Sequence, residues 1–320
     1  MKNFTILVSG ASGIVGYGIL KSLQQYHYKL IGTTIYSDSI TTKFADIVEI
    51  APVSTSEEYI PWLINIIKKY QINMLIPGIE CDMQIWNNNR HILNQTGAFI
   101  LLNNSKLIEI CLDKWLFYKT MKKYNSPYII ESSLDKDADQ FSLPFILKKR
   151  CGYGSKGLVK IESKNEFEKY KKNIGNDLMI QEYVGNQEDE YTVAAFFDES
   201  SDLKAHISLK RKLSSQGYTV AAEVVHIDNM EAILKELSLI FQPIGPTNFQ
   251  FRKDNGNWKL LEINPRISSS TSIRTAFGYN EIKMSIDYFL NKKEIIQPQV
   301  TNGKAIRYIE DFIIYDSDNI

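Results

Sequence analysis

A short apolar run from Phe4 to Val8 ends on Gly10, Gly13 and Gly16, and Ile14, Val15, Ile19, Leu20 and Leu23 then recur at helical spacing. Strand, glycine turn and helix in that order predict a parallel sheet whose faces are covered by helices. The alternation continues. Leu30 to Ile35 and Ile47 to Ile50 predict buried strands, Glu57 to Tyr70 an amphipathic helix and Met74 to Pro77 a strand. Asp82 to Gln95 then predicts a helix and Phe99 to Leu102 a strand. The first part of the chain, residues 1–104, is therefore expected to be a doubly wound α/β domain.

After residue 104 the rhythm changes. Ser105 to Tyr124 predicts one long helix, with Asn104 or Ser105 as its cap. Phe145 to Lys149 and Leu158 to Ile161 predict a hairpin around a Gly-rich tip. A Lys-rich helix around Phe167 comes next, then strands at Leu178 to Glu182, Tyr191 to Phe197 and Ala221 to His226. Met230 to Phe241 predicts a helix. Thr247 to Arg252 and Trp258 to Asn264 predict a hairpin turning at Asp254-Asn255-Gly256-Asn257, and Ser272 to Leu290 a final helix. This second part is mixed α+β with antiparallel pairs.

Length and charge bound the function. The 320 residues are enough for two domains or one domain with lobes. Lys and Arg total 37 against 37 Asp and Glu, so no basic surplus exists for a phosphate backbone, and nucleic acid is not expected as a partner. Cys81, Cys111 and Cys151 show no CxxC spacing, as in a reduced chain. The apolar run at the N-terminus is too short for a secretory signal, and no apolar stretch reaches membrane-spanning length. A cytoplasmic protein without membrane attachment is expected.

Two glycine-rich segments compete for the functional reading. Gly10, Gly13 and Gly16 form GxxGxxG, which can bring a pyrophosphate to a helix N-terminus or can simply allow tight strand–helix packing. Only Asp38 is available to hold a ribose in the first case. Tyr17/Lys21 and Tyr118/Lys122 have the Tyr-x-x-x-Lys spacing of short-chain dehydrogenases and epimerases, but the first lies on the glycine-loop helix itself. The second segment, Phe145 to Val159, sets Lys148 on a strand just before Gly152, Gly154, Ser155 and Gly157. Backbone N–H groups there can wrap phosphate oxygens while a lysine supplies charge. Leu158 and Val159 replace the Lys-Ser/Thr of a Walker loop. Gly152 to Val159 does fit the kinase pattern GxGxxGxV, yet no His-Arg-Asp or Asp-Phe-Gly follows.

Gln181-Glu182-Tyr183-Val184 ends one strand and Glu190-Tyr191-Thr192-Val193 begins another, so a chain crossing here can offer backbone groups to an adenine edge and a carboxylate to a ribose. Glu262 and Asn264, two apart on a strand, face the same way, and Gln250 on the paired strand can join them. One carboxylate and two amide oxygens are hard donors suited to Mg²⁺ shared with phosphate. Arg266 follows Pro265 at the strand's mouth. The four histidines are scattered without ligand spacing.

Taken in order, Asp113-Lys114, Lys148 to Gly157, Gln181 to Val184, Glu190 to Val193, Gln250 and Glu262 to Arg266 resemble the ATP-grasp superfamily. The subgroup they are most similar to is the carbamoyl-phosphate-synthase-like stand-alone carboxylate–amine ligases, over essentially the whole chain. The resemblance implies a Rossmann-like pre-ATP-grasp domain (1–104) whose glycines hold no dinucleotide. It also implies a small lobe with linking helix and Gly-rich hairpin (105–184) and a large lobe (185–320). It implies ATP and two Mg²⁺ ions, with small-molecule carboxylate and amine substrates. Lys114 and Lys148 would contact phosphates, and Gly154, Ser155 and Gly157 would cover them. Glu182, Tyr183 and Val184 would frame adenine, and Glu190 would hold the ribose. Gln250, Glu262 and Asn264 would bind metal, Arg266 would stabilise the transferring phosphoryl with Arg211 assisting, and Arg274 would clamp the substrate carboxylate. The family has Lys-Pro where this chain has Lys148-Lys149, so which lysine points inward is open. A single grasp module without a glutaminase region makes carbamoyl phosphate synthesis itself improbable. An NAD(P)-dependent sugar epimerase or reductase, or a non-catalytic nucleotide-binding module, are the alternatives. A dimer is the commonest assembly for a chain of this size.

Overall fold

The computed structural model describes residues 4–152, 157–214 and 217–314. Strands β1 (Thr5–Val8), β2 (Lys29–Thr34), β3 (Ile47–Ile50), β4 (Met74–Ile76) and β5 (Phe99–Ile100) form a parallel sheet in the order β3-β2-β1-β4-β5. Helices α1 (Ile14–Leu23), α2 (Thr41–Phe44), α3 (Tyr59–Tyr70), α4 (Glu80–Asn88) and α5 (Arg90–Asn94) cover it. Strand order reverses at β1/β4, so the carboxyl ends of these two strands flank a crevice of the kind that holds ligands in open α/β sheets. The sheet's two faces feed separate apolar clusters, one around Ile6, Val8, Met74 and Ile76 and one around Leu7, Ile31, Leu75 and Trp86.

The glycines of the first turn serve close packing. A Cβ on Gly16 would lie 2.3 Å from the Gly10 carbonyl oxygen, and one on Gly78 would lie 2.1 Å from that of Ser9. Of the two readings of GxxGxxG, tight strand–helix contact is the one this geometry requires. Asp38 sits exposed in a bend.

Three predicted helices are broken, two of them in the first half of the chain. Ser105 to Tyr124 is two helices, α6 (Ser105–Leu112) and α7 (Lys114–Lys123), because Asp113 leaves helical geometry and its carboxylate accepts from the Trp115 and Leu116 amides as an N-cap. Asp82 to Gln95 is divided at Asn89.

Next comes a four-stranded sheet of order β6-β9-β7-β8, made by β6 (Ser132–Ser133), β7 (Phe145–Lys149), β8 (Val159–Ile161) and β9 (Leu178–Glu182), with α8 (Lys164–Glu168) against it. The larger, six-stranded antiparallel sheet has the order β14-β13-β10-β11-β12-β15. Its members are β10 (Glu190–Phe197), β11 (Leu203–Leu213), β12 (Thr219–Val224), β13 (Gly245–Asp254), β14 (Asn257–Asn264) and β15 (Lys304–Ile306). Helix α9 (Met230–Phe241) packs on one face through Ile233, Leu234, Leu237 and Phe241. β11 escapes sequence reading because Lys204, His206, Lys210 and Lys212 interrupt its apolar positions. The β13–β14 turn carries positive φ at Asn255 (48°) and Gly256 (83°), the backbone that a two-residue hairpin demands.

The segment predicted as one helix from Ser272 to Leu290 is α10 (Thr271–Ala276), α11 (Glu281–Ser285) and a π-helical turn (Ile286–Leu290). Gly278, at φ 93°, reverses the chain between the first two. Both pieces pack against α1, which ties the two halves of the molecule together. Among the described residues, no helix is long and apolar enough to cross a membrane.

Candidate functional site

The candidate residues come from the four-stranded sheet, from the six-stranded sheet and from the segments that follow α6 and β14. On one side, strand alternation on β7 turns Lys148 inward and leaves Lys149 exposed. The Lys148 ammonium donates to Gln181 Oε1 at 2.7 Å, and Gln181 Nε2 donates to Ser132 Oγ at 2.9 Å, so three strands hold it. Its acceptor is a neutral amide, not a counter-ion. Burial, with Lys114 adding repulsion and Glu262 opposing, pushes Lys148 down to about 7.

Lys114, the first residue of α7, sends its ammonium to the Gly152 carbonyl at 2.9 Å and its amide to the Arg150 carbonyl. Asp113 and Arg150 pair at 2.5 Å, so the start of α7 is fastened to the hairpin stem. Hydrogen bonds from Arg150 and from the Trp115 and Leu116 amides hold the Asp113 carboxyl below its usual range against partial burial. Gly157 (φ 81°) lies against the Lys149 side chain. Gly154 and Ser155, expected over the phosphates, lie outside the described residues.

At the crossing between sheets Glu182 is exposed, Val184 is buried, and the Tyr183 ring has the Lys160 ammonium 5.1 Å from its centre. Gly185 takes φ 60° with its amide on Asp254 Oδ1 at 3.0 Å. A Cβ there would come within 2.3 Å of the Lys253 carbonyl oxygen, so this position needs glycine.

Glu262, Asn264 and Gln250 form the opposite wall. Register pairs Gln250 with Glu262 and Asn248 with Asn264 across β13–β14. Asn264 Nδ2 donates to Glu262 Oε1 at 3.2 Å, which confirms that the two share a face. Gln250 Oε1 accepts from Arg211 Nη2 at 2.6 Å. Glu190 is only 4 % exposed, with one oxygen on Arg211 at 2.6 Å and the other on Arg252 at 2.9 Å. The carboxylate expected at the ribose is thus held between two guanidiniums. Arg252 was not anticipated, although it stands two residues from Gln250 and alternation places it on the same face.

The remaining arginines part company. Arg266 donates from Nη1 to the Ile267 carbonyl at 3.0 Å and from Nη2 to Glu80, the first residue of α4. Arg274, expected to clamp a substrate carboxylate, is 1 % exposed, bonded to Glu281 and to Ser268 Oγ at 2.9 Å, and faces the interior. Buried and without hydrogen-bond partners among the described residues are Nε of Arg211, Arg252, Arg266 and Arg274 and Nδ2 of Asn248. Because Arg274 in the core shares this feature, an unpartnered Nε does not by itself mark this wall as an anion site.

The donor set fits a hard cation shared with an anion. Glu262 supplies a carboxylate and Asn264 an amide oxygen, both ligands of the Mg²⁺ type, and Gln250 can add its amide oxygen only through the lone pair that Arg211 leaves free. Among the described residues no group of three or more His, Cys, Asp and Glu side chains could hold a metal by itself. Most of the coordination shell would therefore come from ligand and water.

The comparisons with known proteins bear on the fold that carries these residues. A family model described as "ATP-grasp in the biosynthetic pathway with Ter operon" matches residues 175–312, which span Gln181 to Val184, Glu190, Arg211, Gln250, Glu262 to Arg266 and Arg274. N5-carboxyaminoimidazole synthetase from Staphylococcus aureus, solved with ADP, superposes with a TM-score of 0.74 over 93 % of this chain and 80 % of its own, at 18 % identity. The chain has the ATP-grasp fold.

Biotin carboxylase from Campylobacter jejuni, solved as a β,γ-ATP complex, matches with a TM-score of 0.69 at 17 % identity, over 88 % of this chain and 70 % of that one. The biotin carboxylase domain of the Hydrogenobacter thermophilus 2-oxoglutarate carboxylase, a dimer solved with MgADP and bicarbonate, gives 0.69 at 17 % identity over 90 % and 70 %. No curated protein matches by sequence. The ATP-grasp sheets and the parallel domain before them thus have the predicted order.

Proposed function

We propose that this protein is an ATP-dependent carboxylate–amine ligase that works through an acyl phosphate. The observation that carries the reading is the facing of two walls. Lys148 on β7 and Lys114 on α7 supply one wall, Glu262, Asn264 and Gln250 on β13–β14 the other, and the Glu262 charge opposes the fall in the Lys148 pKa. Polyphosphate is the ligand that needs cationic donors and a metal face at once. The boundaries near residues 104 and 184 fit this division of labour.

In this reading Lys148 and Lys114 take the phosphates, the Gly-rich tip covers them, and the crossing at Glu182 to Val184 borders adenine. Mg²⁺ held by Glu262, Asn264 and Gln250 would supply charge neutralisation at the phosphate oxygens. A carboxylate oxygen of the acid attacks the γ-phosphorus, the bond to the β,γ-bridging oxygen breaks, and ADP leaves. An amine then attacks the acyl carbon, the C–O bond to phosphate breaks, and amide, phosphate and a proton are released. Arg266 faces the transferring group, and Arg211 acts through Gln250 and Glu190, which it orders.

Two positions change role. Glu190 anchors the arginine cluster, and Arg274 supports the Ser268-containing loop. The dehydrogenase or epimerase reading gains nothing from the first domain, where the glycines are consumed in packing, nor from α7, where Tyr118 and Lys122 bond each other at 2.8 Å beside Glu131.

The test is ADP release from MgATP across a panel of carboxylic acids, with hydroxylamine replacing the amine. A hydroxamate that forms only with the right acid and ATP is the expected result. ADP release that no acid stimulates, with no hydroxamate, would reject the ligase reading.

A further inference from the structure

The crevice at the carboxyl ends of β1 and β4 is not empty of chemistry. β4 runs out through Pro77 and Gly78 into Glu80, and Gly78 has no room for a side chain against Ser9. This tight exit sets the first turn of α4 over the crevice, with Glu80 at its start. Ile76, Pro77, Asn103, Pro265, Arg266 and Ile267 line one small space there, so the end of β4 and the Glu262–Arg266 segment share a wall. Glu80 and Glu262 also act on one thiol. Burial pushes Cys111 up, and both carboxylates add to the shift. Glu80, the first residue of α4, thus stands beside the segment that carries Arg266 although it belongs to the first domain.

Its partner is Arg266. The two side chains are 19 % and 15 % exposed, and the contact joins residues 186 apart in sequence. With Nη2 on Glu80 and Nη1 on the Ile267 carbonyl, the guanidinium plane is fixed, and Nε remains without a partner among the described residues. A long side chain loses much freedom when it binds a phosphoryl group, and prior fixation removes that cost.

We infer that Glu80 is a positioning residue, supplied by the first domain, that holds the Arg266 guanidinium in place for the γ-phosphoryl group. The inference rests on the ligase reading, because it gives Arg266 the phosphoryl as its target. It makes the first domain a participant in the active site: Glu80 does not touch the nucleotide but acts through Arg266.

The experiment compares the calorimetric affinities of a nonhydrolysable ATP analogue and of ADP, each with Mg²⁺, in the wild type, Glu80→Gln, Arg266→Ala and the double variant. The wild type should prefer the γ-phosphate-bearing analogue by about tenfold or more, as one charge-assisted contact provides. Arg266→Ala should remove that preference, and Glu80→Gln should remove most of it while leaving ADP affinity unchanged. The double variant should be no worse than Arg266→Ala. A merely structural Glu80 would lower the melting temperature and leave the preference intact, which overturns the inference alone. A wild type that binds neither nucleotide overturns the ligase reading and the inference with it. A wild type that binds both equally removes Arg266 from the γ-phosphate, and so overturns the inference while ATP binding stands.

Discussion

Arg266 and Arg274 lie in one short segment, and each is bonded to a glutamate, yet the two pairs belong to different parts of the molecule's economy of charge. Arg274–Glu281 is closed within the core, with side chains 1 % and 2 % exposed. Arg266–Glu80 stands at a crevice between two domains with both partners partly accessible. The first is a desolvated pair whose value depends on both members remaining. Both guanidiniums keep an Nε without a partner among the described residues, so what separates the pairs is exposure, and only the second lies where the proposed function puts a ligand. Pairing alone does not tell an architectural arginine from a functional one; burial and the identity of the element across from it do.

The largest expected effect breaks the buried pair. Arg274→Ala leaves the Glu281 charge uncompensated in the core and should cost about 3–5 kcal/mol in chemical denaturation. Arg266→Ala should cost clearly less, since water can reach Glu80. Equal losses in the two variants would refute the contrast. Next comes the metal wall. Glu262→Gln removes the one carboxylate among the three candidate ligands and should weaken the Mg²⁺-dependent part of ATP-analogue binding by more than about tenfold, read by calorimetry with and without Mg²⁺.

Lys148 yields a prediction in pH. Its folded value near 7 lies below the unfolded value of about 10.4, so between these limits the unfolded chain holds more protons, and this group's contribution to stability rises with pH. Polyphosphate binding runs the other way, because it favours the ammonium. Above about pH 7 nucleotide binding should take up a proton and weaken as pH rises. Calorimetry in buffers of different ionisation enthalpy measures that uptake, and a pH-independent affinity from about half a unit below to about two units above the lysine's folded value of about 7 would show that Lys148 does not meet phosphate. The smallest effect belongs to its neighbour. Lys149→Gln, on the exposed side of β7, should change ATP-analogue affinity by less than about 0.5 kcal/mol; a large loss would mean that the lysines exchange roles.

Much of this was legible because it is local. Alternation placed Glu262 with Asn264, and the glycine-flanked turn at Asp254 to Asn257 announced its hairpin. The same rule applied to β13 would have added Arg252 beside Gln250. What was hidden depends on partners distant in sequence. Glu190 could pass for a ribose ligand until register set it opposite both Arg211 and Arg252. Arg274 could pass for a substrate clamp until Glu281 closed over it. Glu80 carried no signal except its place, an acidic residue at the first turn of a helix beside a topological switch point. Asp113 shows a different limit: apolar periodicity runs through it, while its side chain caps a new helix.

The most direct measurement is calorimetric titration of a nonhydrolysable ATP analogue with Mg²⁺, with NADPH in parallel and Glu262→Gln as the control. Binding that requires Mg²⁺ and weakens in the variant, with no heat from NADPH, is the predicted result. NADPH binding without any response to the ATP analogue would contradict the account and return attention to Gly10, Gly13 and Gly16.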